Sequence, residues 1–235
     1  MGNHAQGNHT TGDHGAAGPR DDIRTADPLD AEVLERWTKL AGPSARAVGE
    51  DLVRRYREPH RRYHTVEHLA AMLPVIDDLA ADATDIDAVR YAAFFHDAVY
   101  AVDRADNEEA SARLAEATLP NLGVAPGTVA EVARLVRLTA GHHPEPGDRN
   151  GAVLCDADLA ILAAGEKAYA AYTSAVRAEY GHIPDDLFRP GRAAVLRGLT
   201  DQEHLFRTPT AQRRYESAAR ANLAAELASL TGPLG

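Results

Sequence analysis

From Asp27 onward the apolar residues recur every three or four positions, as in "LDAEVLERWTKLAG", "TVEHLAAMLPVIDDLAA" and "GTVAEVARLVRLTA". That is the period of a helix with one buried face, and no run of alternating β-branched residues competes with it. The chain is expected to be all-α, a bundle of about eight to ten helices. Boundary signals fall where such helices need them: Pro43, Asp85, Asp106, Thr128 and Pro184 near starts, Gly42, Gly141 and Gly181 near ends. Pro74 is expected to kink or shorten the helix that carries it.

A chain of 235 residues with 45% hydrophobic content can bury a substantial core, and one domain over 28–235 is the natural division. Residues 1–27 differ in kind. "GNHAQ", "GNHTT" and "GDHGA" repeat with a period of five and offer almost nothing to bury, so a disordered tail is expected. Its His4, His9 and His14 could hold a transition metal loosely. The 35 acidic residues against 25 basic ones argue against a nucleic-acid polymer as partner. No stretch reaches the roughly 18 to 20 apolar residues of a membrane span, and the N-terminus lacks the regions of a signal peptide, which points to the cytoplasm and away from membranes. The single cysteine, Cys155, excludes an intramolecular disulfide and reads as a small buried hydrophobe.

Chemistry concentrates in the histidines. "YREPHRRYHTVEHLAAML" holds His60, His64 and His68, and His64 and His68 share a helical face if the helix begins just before Thr65. His96-Asp97 follows the apolar "YAAFF", and Asp156 and Asp158 sit in "LCDADLAIL". Carboxylates in such surroundings need a cation, and a metal ion supplies one directly. Adjacent His and Asp on one helix point about 100° apart, so both reach a single ion only at a helix end or distortion. Two imidazoles and two carboxylates from three helices make a mixed N/O shell suited to a divalent ion, with Mn, Mg, Fe, Co and Zn all admissible.

The order His68, His96-Asp97, Asp158 resembles the H…HD…D signature of the HD superfamily of metal-dependent phosphohydrolases. "YHTVEHL", "FFHDAVY", "DNEEAS", "DADLAIL", "YTSAVRAEY" and "GRAAVL" are similar to a bacterial subfamily of predicted HD phosphohydrolases, over roughly Leu29 to Leu230. The resemblance implies one or two divalent ions held by His68, His96, Asp97 and Asp158, with Asp97 able to bridge two ions and to take part in catalysis. Asp158 rather than Asp156 matches the family's "ADL" position. "YHT" is similar to the Tyr-His-Asn of cyclic-nucleotide phosphodiesterases, which makes His64 the general acid, with Thr65 departing from the Asn. His142 or His143 lies where binuclear relatives place further ligands. Arg61, Arg62, Arg177 and Arg192 are candidate phosphate partners, although Arg177 lies near Glu179 and an ion pair would suit it as well. Asn107 and Glu108 resemble a subfamily motif that could orient a water, or simply a helix start. Arg62, Asn107, Glu108, His142 and Arg177 form the expected substrate-binding set, while His60, His182 and His204 read as structural or surface.

The expected activity is hydrolysis of a small phosphate ester, a nucleotide or cyclic nucleotide, by hydroxide attack on phosphorus with His64 protonating the leaving alcohol. Two other classes remain open: a di-iron HD-type oxygenase, and a non-catalytic metal-stabilised binding module. The Ala-rich stretch "YESAARANLAAELASL" would fit a homodimer contact or an intramolecular one equally well.

Overall fold

The computed structural model describes residues 1–2 and 27–232; the period-five tail and residues 233–235 lie outside them. Among the described residues there are ten α-helices, four short 3-10 turns and no strand. The helices are α1 (Pro28–Ala41), α2 (Arg46–Tyr56), α3 (Val66–Asp78), α4 (Ile86–Phe95), α5 (Asn107–Thr118), α6 (Pro126–Leu138), α7 (Arg149–Leu159), α8 (Glu166–Glu179), α9 (Asp185–Thr200) and α10 (Pro209–Thr231). None is long and apolar enough to cross a membrane.

Local chemistry sets several boundaries. Asp27, Asp85 and Asp148 accept backbone N–H groups in the first turns of α1, α4 and α7, and Thr208 does so for α10. Gly42 closes α1 with φ 87°, a conformation that suits glycine. Thr128 lies inside α6, which opens two residues earlier at Pro126 because proline fits the first helical position. α3 runs through Pro74 and ends at Asp78. The apolar run after Asp158 divides into α7, a 3-10 turn over Ala160–Ala163, and α8.

Packing puts α4 at the centre, where Ala88, Val89, Ala92, Ala93, Phe94 and Phe95 are buried, in contact with α1, α3, α5, α6 and α7. A single cluster of buried apolar residues runs from Val33 in α1 to Leu223 in α10. Trp37 anchors one end. Its ring meets Tyr91 and Phe94 edge-on, and its Nε1–H donates to the Ala45 carbonyl at 2.8 Å. Gly49 of α2 lies flat against that indole, and a methyl group there would overlap the ring. Gly49→Ala is expected to destabilise the fold by about 1–3 kcal/mol despite its better helix propensity, read as a lower Tm by calorimetry. α10 packs on α9 and on the 3-10 turn after α7, so the Ala-rich stretch finds partners within its own chain. Cys155 is buried in α7, and burial pushes its thiol pKa well up.

Candidate functional site

Three helix ends converge below one cavity. His68 sits in the first turn of α3; His96 is the residue that closes α4, its N–H donating to Ala92 O at 2.8 Å; Asp158 lies in the last turn of α7. His96 keeps helical backbone at the end of α4 (φ −55°, ψ −41°), and Asp97 follows it in a turn outside the helix. Both then face the same point. His68 Nε2 lies 3.3 Å from His96 Nε2 and 3.0 Å from Asp158 Oδ1, His96 Nε2 lies 4.0 Å from that oxygen, and Asp97 Oδ2 is 3.0 Å from His96 Nε2. Donor atoms of His68, His96 and Asp158 all fall within 4.8 Å of one another.

This donor set fits a divalent ion. Ligands at roughly 2.1 Å from an octahedral centre are about 3 Å apart when adjacent and about 4.2 Å apart when opposite, which spans the distances found. Orientation agrees as well. His96 Nδ1 donates to Ala93 O at 2.8 Å, which leaves Nε2 as the coordinating nitrogen. The electrostatics call for a cation. Burial opposes charge on His96, yet Asp97 outweighs it and holds the imidazole up to about 9. Burial likewise opposes charge on Asp158, but hydrogen bonds from His142 and His68 keep its carboxyl well below the ordinary range.

His142 joins the cluster. Its Nε2 is 2.7 Å from Asp158 Oδ2, and the residue takes φ 55°, rare for a side chain of this size, to reach it. His143 does not line the cavity.

His64 arrives by another route than the sequence implied. Thr65 has extended backbone, φ −110° and ψ 178°, and α3 starts after it, so His64 belongs to the preceding loop and shares no helical face with His68. What holds it is Glu179, the last residue of α8. One carboxylate oxygen accepts the N–H groups of Arg62, Tyr63 and His64 at 2.9, 3.3 and 3.3 Å; the other lies 2.6 Å from His64 Nδ1 and accepts the Tyr100 hydroxyl at 3.1 Å. Burial opposes ionisation of Glu179, but these donors, His64 first, draw its pKa down to about 2. Burial also opposes charge on His64, and Asp97 with Glu179 still raises its pKa. Tyr100 stacks on the imidazole with ring centroids 4.3 Å apart. The result is an imidazole that donates through Nδ1 and keeps Nε2 for the cavity.

Glu179 is the functional side chain that sequence reasoning missed. Arg177, a candidate either for a phosphate or for an ion pair near Glu179, bonds to Asp185 and to the carbonyls of Tyr180 and Ile183, tying α8 to α9. Arg177 is not a cavity residue, and neither is Arg62, which is exposed. Arg61 is buried. Its guanidinium donates to the carbonyls of His64, Asp97 and Ala98, so it fastens the His64 loop to the His96-Asp97 segment rather than meeting a phosphate. Asn107 lines the cavity, where its amide accepts the backbone N–H of Ala101 and donates to the Ala101 carbonyl, which fixes its orientation and leaves it one further N–H. Ser111 clasps Val99 in the same way, so the segment after Asp97 is tied down residue by residue. Glu108 does line the cavity. Arg192 does too, but its charge is met by Glu226 at 2.7 Å. His60 bonds to Tyr100 O, and His182 and His204 are exposed.

Asp156 and Asp158 part company. Asp156 is fully buried on the other side of α7, where its two oxygens accept the N–H groups of Arg207 and Thr208 at 2.6 and 2.7 Å and fix the start of α10. Burial raises its pKa to about 6 against those bonds. Asn cannot accept at both positions, so Asp156→Asn is expected to cost about 1–3 kcal/mol of stability and leave metal content unchanged, checked by melting and by elemental analysis of one preparation.

The cavity above the cluster has a volume of about 660 Å³ and is lined by His64, His96, Asp97, His142 and Asp158 together with Tyr63, Tyr100 and Tyr172. No protein-family model, curated protein or solved structure matches this chain.

Proposed function

We propose that this chain is a metal-dependent hydrolase of small phosphate esters, working in the manner of the HD superfamily that its motifs resemble. The observation that carries the reading is the convergence of His68, His96 and Asp158, with Asp97 beside them, beneath a cavity walled by the Glu179-oriented His64. A divalent ion held there would lower the pKa of a coordinated water and polarise a phosphoryl oxygen. His68, His96, Asp97 and Asp158 would hold it, with His142 within reach through Asp158.

The remaining work falls to the chain's own groups. Glu179 fixes the His64 tautomer and favours its protonated form. His64 Nε2 can then give a proton to the departing alcohol oxygen, a step suited to an imidazole whose pKa the neighbouring carboxylates raise above its ordinary value. Tyr100 stacks on that ring and Tyr63 meets it edge-on, and together they confine it. The buried setting of His96 and Asp97 restricts the water that reaches the reacting atoms.

The direct test is elemental analysis of the full chain carrying His4, His9 and His14→Ala, paired with a phosphatase and phosphodiesterase screen under Mn, Mg, Co and Fe. About one or two ions per chain with phosphate release is the expected result. A second reading draws on His142, since a third imidazole at the cluster is what a di-iron oxygenase would require. Retained iron with oxygen uptake and no hydrolysis would favour it. Metal binding with no turnover of either kind would leave the binding module.

A further inference from the structure

The cavity has two unlike ends. The acid-rich end holds Asp97, Asp158 and Glu108; the other is built by α8 and α9. Along α9 the lining residues Leu187, Phe188, Gly191, Arg192, Val195 and Leu199 fall at helical spacing, so one whole face of this helix looks into the cavity while α9 packs on α10. Val176 of α8 and Ile183 of the α8–α9 connection complete this wall. Leu187 and Val195 are 63% and 57% exposed, and apart from Met1 they are the exposed large hydrophobic residues among those described. Large apolar side chains left open beside a candidate active site call for an apolar occupant.

The charges weigh against the alternatives. Among the described residues two arginines line the cavity, and both have partners: Arg192 with Glu226 and with the Tyr172 hydroxyl at 2.9 Å, and the more exposed Arg104 with Asp106 at 3.0 Å. A nucleotide would bring a ribose and a base edge that need polar partners, and a polyphosphate would need cations beyond the metal. Arg192 donates to Tyr172, leaving that hydroxyl its own hydrogen, so the α8–α9 wall offers the Tyr172 and Tyr180 hydroxyls beside a guanidinium already paired with Glu226.

We propose that the α8–α9 half of the cavity holds an uncharged apolar group, so that the substrate is a phosphate monoester of an alkyl or aryl alcohol. This rests on the hydrolase reading for the reaction, though not for the fit. In the reaction water adds to phosphorus, the ester P–O bond breaks, the alcohol leaves with a proton from His64, and inorganic phosphate remains.

Binding of n-alkylphosphonates from ethyl to octyl, measured by calorimetry on the full chain with Mn²⁺, tests the assignment without turnover. Kd should fall by about two- to fourfold per methylene, approaching the limit set by about 0.8 kcal/mol per buried methylene. In the double variant Leu187→Gln, Val195→Gln the gain per methylene should drop toward onefold; both side chains are exposed, so folding does not depend on them. A flat series in the unsubstituted protein, or tighter binding of AMP than of hexylphosphonate, would overturn the proposal. Phosphate release is scored separately: a steep chain-length series with no hydrolysis of hexyl or 4-nitrophenyl phosphate keeps the apolar assignment and removes the hydrolase reading.

Discussion

His68→Ala and Asp158→Ala are expected to lose the bound ion and turnover together, with activity down by at least about 10³-fold. Each removes a donor from a set whose members lie 3.0 to 4.0 Å apart: without His68, His96 is left with Asp97 and Asp158, and without Asp158, two imidazoles are left with Asp97 alone. Stability should report the same loss. An ion present at about 100 times its Kd adds roughly 2.7 kcal/mol to the unsubstituted protein, and this increment should vanish in both variants. Elemental analysis, turnover and melting with and without Mn²⁺ check the three parts on one preparation. A variant that keeps its ion at full occupancy would remove that side chain from the coordination sphere.

Glu179→Gln is expected to keep the ion and lose turnover by about 10²-fold or more, approaching His64→Ala, because the carboxylate holds both the His64 imidazole and the 62–64 loop that carries it. The pH profile separates this from simple damage to the fold. His64 must be protonated to act as an acid, so activity falls as pH rises through its pKa. Removing the negative charge of Glu179 lowers that pKa, and the alkaline limb should move to lower pH. Stability carries a second sign. Glu179 is drawn from 4.5 to about 2 in the folded chain, so its contribution is fully present above pH 4.5 and is lost as pH falls toward 2. The shift corresponds to on the order of 3 kcal/mol, and Glu179→Gln should flatten that stretch of the acid-stability curve. If His64→Ala lost the ion as readily as His68→Ala, the general-acid role would fall.

The two sets of residues differ in how they could be seen. His68, His96, Asp97 and Asp158 stand out because histidine and aspartate are conspicuous in apolar helical surroundings. Glu179 gave no such sign. It lies 115 residues from His64, at the end of an ordinary amphipathic helix, and only the placement of the end of α8 against the 62–64 loop reveals its task. The arginines misled for a related reason: a guanidinium suits a backbone carbonyl as well as a phosphate, and Arg61 found carbonyls. Asn107 likewise bonds to the Ala101 backbone, although it also lines the cavity.

The sequence by itself determined the helices, their approximate number and the residues able to hold a cation, since apolar periodicity and side-chain chemistry are local properties. Tertiary structure decided which polar groups share a point. Asp156 and Asp158 are two residues apart on one helix, yet one ties α10 and the other faces His68, because neighbours at that spacing project to different sides of α7. At the end of α4 Asp97 Oδ2 comes within 3.0 Å of His96 Nε2, and residues of α8 and α9 set an apolar wall on the other side of the cavity. Those outcomes depend on how helices cross, which no local pattern specifies.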